Sequence, residues 1–325
     1  MSGDEEVKLT GKAGQVDLGK KNILLRGKST HVTSIVVDGK EIVITGGLVK
    51  TARLAEEWYQ DVEAPEPMVE AITKSKVKAD IFTFWQRLPE IEPKYNYYME
   101  RESISALPIK SFDHWWKNQI NSKTRNIVRK ADRSGVVVKQ ADFDQEFIRG
   151  MKDIFNETPI RQHKPFWHYG KDAQTIKREF SRYLFREDLF GAYYNDELIG
   201  FIFLAYAEKY ALLGQIISKI SHREKSPNNA LIAKAVEVCS NKKIPYLVYA
   251  LWITGSWGDF KRHNGFERFD LPRYYVPLTL KGQIILKLRL HHGIVGIMPE
   301  RFKHHLIHFR RKWYLIKSSL NTPRK

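Results

Sequence analysis

The chain has 325 residues, enough for two compact halves and an appendage, and its 42% hydrophobic and 12% aromatic content excludes disorder over most of its length. Lys and Arg outnumber Asp and Glu by 54 to 37, a formal net charge of +17 that favours polyanionic partners such as RNA, phosphorylated donors or an anionic membrane surface. One cysteine, Cys239, excludes a disulfide framework and a cysteine-based zinc site and fits a reducing compartment.

Residues 1–20 are polar and rich in Gly and Lys and read as a mobile leader. The opening MSGDEEVKLTGKAG has no apolar core, so no secretory signal is expected, and no run approaches the roughly 18 apolar residues needed to span a bilayer. A cytoplasmic location is the expectation from these features. HVTSIVVDGKEIVITGG holds two β-branched runs around Asp38-Gly39, a hairpin signal because the turn requires positive φ. LVKTARLAEEWYQDV has Leu48, Ala52, Leu54, Ala55 and Trp58 at helical spacing, and PEPMVEAITKSKV predicts a second helix with prolines at its mouth. DIFTFWQRL and YNYYMERESISALPI read as strands, and SFDHWWKNQINSKTRNIVRKADRSG as a helix closed by Gly135, with Trp115 and Trp116 in the core. VVVKQA is the next strand.

The second half repeats this grammar: helices at DFDQEFIRGMKDIFNET and QTIKREFSRYLFRE, then a three-stranded meander turning at Asn195-Asp196-Glu197 and Glu208-Lys209. A helix over SPNNALIAKAVEVCSNKK follows, then a buried-type strand PYLVYALWI, a short helix GDFKRHNG and a closing pair of strands in FERFDLPRYYVPL. The order predicts an α/β fold with a mixed sheet, and the shared element order implies a distant internal duplication. The expected domains are 21–138, with a linker helix, and 139–280. Residues 281–325 carry eleven Lys and Arg against one acid, Glu300, a net +10. From Pro299 a helix would line Phe302, Leu306, Phe309, Trp313 and Ile316 on one face and Arg301, His304, His305, His308 and Arg311 on another. The histidines at 291, 292, 304, 305 and 308 raise the question of metal. No Cys or Glu accompanies His304 and His308 on their face, and Arg301 and Arg311 oppose a cation, so no metal site is expected. The tail suits an anionic lipid or RNA surface, peripheral to the inner membrane face, or a helix packed on the body with a solvated basic side.

Three segments carry a family resemblance. The helix Lys-x-Arg-Asn-x-x-Arg-Lys-Ala from Lys123, ending at Gly135-Val136, is similar to the linker helix between the two GNAT-like halves of FemAB-like aminoacyl/acyltransferases, the peptidoglycan-bridge type. Asp259, Phe260, Lys261, Gly265 and Phe266 resemble that family's FK-x-x-x-Gly-Phe segment. SPNNALIAKAVE stands where the family has a Pro-Asn-type turn and an apolar helix. The resemblance implies two GNAT-like halves, the first degenerate, followed by the basic helical tail. It further implies transfer of an acyl or aminoacyl group from a phosphate-containing carrier to an amine. Acyl-CoA or aminoacyl-tRNA would be the co-substrate, with no tightly bound cofactor and tRNA as a partner. The alternative is an inactive GNAT-like module that binds RNA or an anionic membrane.

In such a fold two strands splay and the helix after the meander opens into the gap, favouring phosphate at its mouth. Ser226 is the expected N-cap and Pro227 the first helical residue, with Arg223, Lys225, Asn228 and Asn229 around the donor; a plain capped core helix is equally compatible. The segment HREKSPNNA lacks the glycines of the ordinary GNAT phosphate loop, which argues against plain acetyl-CoA use. Lys261 is the leading catalytic candidate, at the phosphate or the oxyanion, and its removal is expected to cut turnover without lowering the melting temperature. Asp259 is the candidate base by proximity, with Phe260 beside the donor. Arg125, Arg129 and Lys130 form one basic helix side, for phosphate or merely solvated. ETPIRQHKPFWHYGK crowds Arg161, His168 and Tyr169 into one loop, where His168 is either a general base near neutral pH or structural.

Overall fold

The structure, a computed structural model, describes residues 18–25, 28–75, 77–161, 164–181 and 187–292. Its elements in the first part of the chain are β1 (Leu18–Leu25), β2 (Lys28–Val37), β3 (Lys40–Thr45), β4 (Thr51–Leu54), α1 (Pro65–Lys74), β5 (Ile81–Trp85) and β6 (Tyr98–Pro108). Then come α2 (Phe112–His114), a π-helical turn (Trp115–Gln119), α3 (Ser122–Arg133), β7 (Val137–Ala141), α4 (Gln145–Asn156), the short pair β8 (Ile160–Arg161) and β9 (Lys164–Pro165), and α5 (Ala173–Phe180). The chain continues through β10 (Glu187–Tyr194), β11 (Glu197–Tyr206), β12 (Ala211–Ser218), a 3₁₀ turn (Arg223–Lys225), α6 (Pro227–Asn241), β13 (Tyr246–Leu251), α7 (Ser256–His263) and β14 (Glu267–Pro277). It closes with α8 (Leu280–Lys287) and a 3₁₀ turn (Leu290–His292). None of the described helices is long and apolar enough to cross a membrane.

The described residues form two compact units, one from the chain up to Arg87 with Glu92–Glu100 and the segment from Pro272, the other from Leu88–Ile91 and Arg101–Leu271. In the first unit β2, β3 and β4 form an antiparallel meander, with β1 antiparallel on β2. α1 then crosses over to β5, which pairs parallel with β4 (Ala52↔Phe82), and the end of β14 closes antiparallel on β5 (Phe84↔Tyr274). Asp38 and Gly39 both take positive φ (48° and 72°), as the two-residue turn requires. Pro65 occupies the first turn of α1, where its missing N–H costs nothing, and Met68 and Ile72 face Ile35, Ile42, Phe82 and Phe84.

The second unit has the same grammar. β10, β11 and β12 form the meander, with β7 added beside β10. α6 crosses to β13, parallel to β12, and β6 closes antiparallel on β13 (Leu247↔Leu107). Phe201 and Phe203 of β11 pack with α4 and α5, while Ile202 and Leu204 pack with α3 and α6. Both faces of this sheet are therefore covered, which explains the unbroken apolar run of β11.

Several expectations change. The segment 48–62 is not a helix: Thr51–Leu54 is a strand that alternates buried and half-buried residues, because β3 and β5 offer it pairing partners on both sides and Leu48 is left exposed. The helix predicted from Ser111 to Gly135 breaks before Asn121, whose side chain accepts from Thr124 N and starts α3 afresh. FERFDLPRYYVPL is one strand, β14, rather than two. Residues 18–20 of the predicted leader belong to β1, and the tail helix from Pro299 lies outside the described residues. The division expected at 138/139 is replaced by the two interleaved units. Each unit's closing strand comes from the other half of the sequence: β14 for the first, β6 for the second.

Gly265 follows α7 at φ +89°, and a Cβ there would stand 3.1 Å from Leu107 Cδ1 and 3.4 Å from the Trp115 ring. Gly265→Ala is therefore expected to cost about 2 kcal/mol, from backbone strain and crowding together, read as a lower urea midpoint with unchanged slope.

Candidate active site

Strands β12 and β13 pair through only two residue pairs, Ala211↔Leu247 and Leu212↔Val248. Past that point β13 stays with β6 through a bulge between Val248 and Leu251, where Ala250 takes φ +50°. The bulge breaks the regular ladder and frees carbonyls at the strand end. Lys261, on α7, supplies the donors. Its ammonium donates to Tyr249 O (2.6 Å), Leu251 O (2.8 Å) and Ser105 Oγ (3.3 Å), and it lies 4.5 Å from the Tyr249 ring centroid. Lys261 is 3% exposed, and burial pulls its pKa from 10.5 down to about 8. Hydrogen bonds to a charged donor are worth roughly 1.5–3 kcal/mol each, yet desolvation still prevails, as the direction of the shift shows.

The mouth of α6 is joined to this region. Asn229 Nδ2 donates to Asn264 Oδ1 (3.2 Å), Asn264 Nδ2 to Phe260 O (2.8 Å), and Trp115 Nε1 to Asn264 O (3.0 Å). Burial raises the Tyr249 hydroxyl to about 12, so it remains a neutral phenol. Pro227 begins α6 as expected. Ser226 sits before it in the left-handed region (φ 58°, ψ 41°), and its side chain makes no cap bond, so the Ser226 capping expectation is corrected in chemistry though not in place. Arg223 is exposed, while Lys225 Nζ lies 4.2 Å from the Tyr194 ring centroid and 3.8 Å from Glu224. Asn228 Oδ1 is buried without a partner among the described residues.

Other predicted site residues have different work. Arg125 donates to Trp116 O (3.0 Å) and Ile120 O (2.7 Å), tying the π-turn to α3. Arg129 and Lys130 are exposed, Arg129 lying 5.3 Å from the Trp116 ring centroid. Lys130 joins Ser122, Lys123, Asn126, Ile127 and Arg133 around a surface depression of about 460 Å³. Arg161 is a clamp: it donates to Ser218 O (2.8 Å), Ile154 O (2.9 Å) and Glu157 Oε2 (3.1 Å) and flanks the Phe166 ring. Burial alone would raise the Glu157 carboxyl, but bonds from Ser221 and Ile220 and the Arg161 charge hold it below its ordinary range.

His168 is fully buried, stacked on Phe155 with ring centroids 4.2 Å apart, and neither ring nitrogen has a partner among the described residues. Burial first, then the charges of Lys171 and Arg161, push its pKa to about 3. The general-base expectation is thus corrected: His168 is a neutral core imidazole. Tyr169 is exposed on the same loop. Asp259 pairs with Arg262 on an exposed side of α7. Two helical residues before Lys261, it points elsewhere, so proximity in sequence does not make it that lysine's partner. Phe260 packs on the core formed by Leu107, Trp115 and Phe266. Sequence reasoning missed Ser105, Tyr249 and Asn264. Of these only Ser105 left a signal, a hydroxyl in the otherwise apolar buried run Ile104–Leu107.

Each α/β unit thus carries a meander, a crossing helix and a short parallel strand pair, β4 with β5 in the first and β12 with β13 in the second. No protein-family model matches the sequence, and no curated protein does either. Among solved structures the chain is similar to FemX, at 10% identity over 84% of this chain and 90% of that one, with a TM-score of 0.56. It also aligns with the C-terminal domain of a putative lysylphosphatidylglycerol synthetase from Agrobacterium fabrum (12% identity, 77% and 85% covered, TM-score 0.49). A tandem GNAT protein from the clavulanic acid biosynthesis pathway aligns as well (11%, 77% and 83%, TM-score 0.44). The fold is therefore FemX-like.

The Lys261 pKa carries a prediction. Below pH 8 the lysine is charged in the folded and the unfolded chain, and the cost of burying it is fully present. Between about 8 and 10.5 the unfolded chain binds the additional proton, so stability rises with pH. Measured by urea unfolding, the wild type should gain up to about 3 kcal/mol relative to Lys261→Met from neutral pH to 10.5. A pH-independent difference would refute the shift. Because the ammonium is buried and bonded, Lys261→Ala will also lower the melting temperature, contrary to the expectation from sequence.

Proposed function

We propose that this protein is an acyltransferase that moves an acyl or aminoacyl group from an activated, phosphate-containing carrier to an amine. The observation that carries the reading is the parting of β12 from β13 after two residue pairs, with α6 opening next to it and Lys261 fixing the freed strand end. The FemX-like fold and the FemAB-like motif segments support it. In such a reaction the amine nitrogen attacks the acyl carbonyl, the tetrahedral intermediate breaks its bond to the carrier's oxygen or sulfur, and the proton lost by the amine ends on that leaving atom. The donor is already activated, so orientation and positive potential suffice. Lys261 serves as a positioning residue that holds the Tyr249 and Leu251 carbonyls and places a cation at the strand end.

Of the two carriers, aminoacyl-tRNA is favoured over acyl-CoA. Close approach of a pyrophosphate needs small residues and free backbone N–H groups; here Ser226 occupies the left-handed position and Pro227 has no N–H to give. Arg223 and Lys225 add charge suited to a longer polyanion. With aminoacyl-tRNA and acyl-CoA donors offered to amine acceptors, wild-type protein should transfer from one donor class. Lys261→Met should lower kcat at least tenfold and remove an inflection near pH 8 from the rate profile. Failure of every phosphate-bearing donor, or equal kcat in the variant, would reject the reading.

A second reading rests on the exposed cations Lys123, Arg129, Lys130 and Arg133 of α3: a polyanion-binding module without turnover. It predicts RNA binding that weakens steeply between about 50 and 200 mM salt and survives Lys261→Met.

A further inference from the structure

Within the first unit, three potential ligands converge from distant parts of the sequence. Glu100 lies on β6, and His291 and His292 lie on the 3₁₀ turn that succeeds α8. His291 Nε2 is 3.0 Å from Glu100 Oε1, and His292 Nε2 is 2.5 Å from Glu100 Oε2. One donor atom from each residue lies within 4.8 Å of the other two. Consecutive residues of a 3₁₀ turn ordinarily point about 120° apart, yet these two imidazole centroids are 4.1 Å apart and both Nε2 atoms meet the same carboxylate. The pair is built into its surroundings. The His291 side chain is 2% exposed, edge-on to Tyr275 (4.6 Å) and Tyr98 (5.7 Å), and Tyr98 OH donates to Glu100 Oε1 (3.0 Å).

We propose that Glu100, His291 and His292 form a binding site for a divalent first-row cation with the preferences of zinc, which ties β6 to the turn at 290–292. Two imidazoles and a carboxylate are a donor set that Zn²⁺ accepts at about 2.0–2.2 Å, tetrahedrally, with the fourth place left to water. Donors around such an ion stand roughly 3.3 Å apart, so the two His–Glu separations of 3.0 and 2.5 Å need to open by less than about 1 Å. Glu100 and the exposed His292 have room to do so. Tyr98 then holds the carboxylate from behind, as an outer hydrogen-bond partner orients a ligand. Arg289 acts electrostatically on both Tyr98 and His291 and works against a cation, so the donor set rather than the net field selects the ion. The site is independent of the transferase reading, since among the described residues none of the second unit contributes to it.

Titration of the metal-free, full-length protein with Co²⁺ tests the site. One equivalent should give the visible absorption of tetrahedral Co²⁺, removed by stoichiometric Zn²⁺, and Zn²⁺ should raise the melting temperature by several degrees. Glu100→Gln and His292→Ala, both at sites with exposed atoms where the packing can stay in place, should each weaken binding at least tenfold. A chain with His304, His305 and His308 changed to alanine should bind as the wild type does. Absence of stoichiometric binding, unchanged affinity in both Glu100→Gln and His292→Ala, or loss confined to the tail variant would overturn the proposal and leave a hydrogen-bonded His–Glu–His cluster alone.

Discussion

The second unit depends on one buried cation. Where β13 leaves β12, its bulge takes carbonyls out of the regular ladder, and an unpaired buried carbonyl costs on the order of a hydrogen bond. Lys261 meets two of them and the Ser105 hydroxyl at once. The opening between the strands can therefore persist instead of closing into a continuous ladder. α7 exists, in this sense, to deliver that ammonium: Gly265 ends it, Asn264 ties it to α6 and Trp115, and Phe266 anchors the entry to β14 in the core. The FK-x-x-x-Gly-Phe pattern is accordingly a structural device.

The same logic explains why so many basic residues are not at the site. Arg125 and Arg161 each spend their guanidinium on backbone carbonyls at places where helices or turns end. Arginine suits this because its planar fork offers several donors in fixed directions. A net charge of +17 thus overstates the free positive surface; the cations open to a polyanion in the second unit include Lys123, Arg129, Lys130, Arg133 and Arg223.

Much of the architecture was legible because its signals are local. The Asp38-Gly39 hairpin, the β10–β12 meander, the Pro65 and Pro227 helix starts and the Gly135 helix end each rest on a turn or cap that few residue types satisfy. What misled was also local. Ala52 and Leu54 fit a helical period as well as a strand's, and only β3 and β5 decide between them. His168 reads as a loop histidine from its Pro/Gly-flanked context, and only the stacking of Phe155 and Trp167 makes it core.

By itself the sequence determined the alternation of helices and strands in the second half, the order of meander, helix and strand there, and the residues that cap and punctuate the elements. These are properties of short windows, set by backbone sterics and side-chain periodicity. Tertiary structure alone decided which strand closes each unit, that Lys261 reaches Ser105 across 156 positions, and that Glu100 meets two histidines across 191 and 192. Such meetings depend on strand exchange between the halves, and no local pattern in a chain records which distant segment its unpaired groups will face.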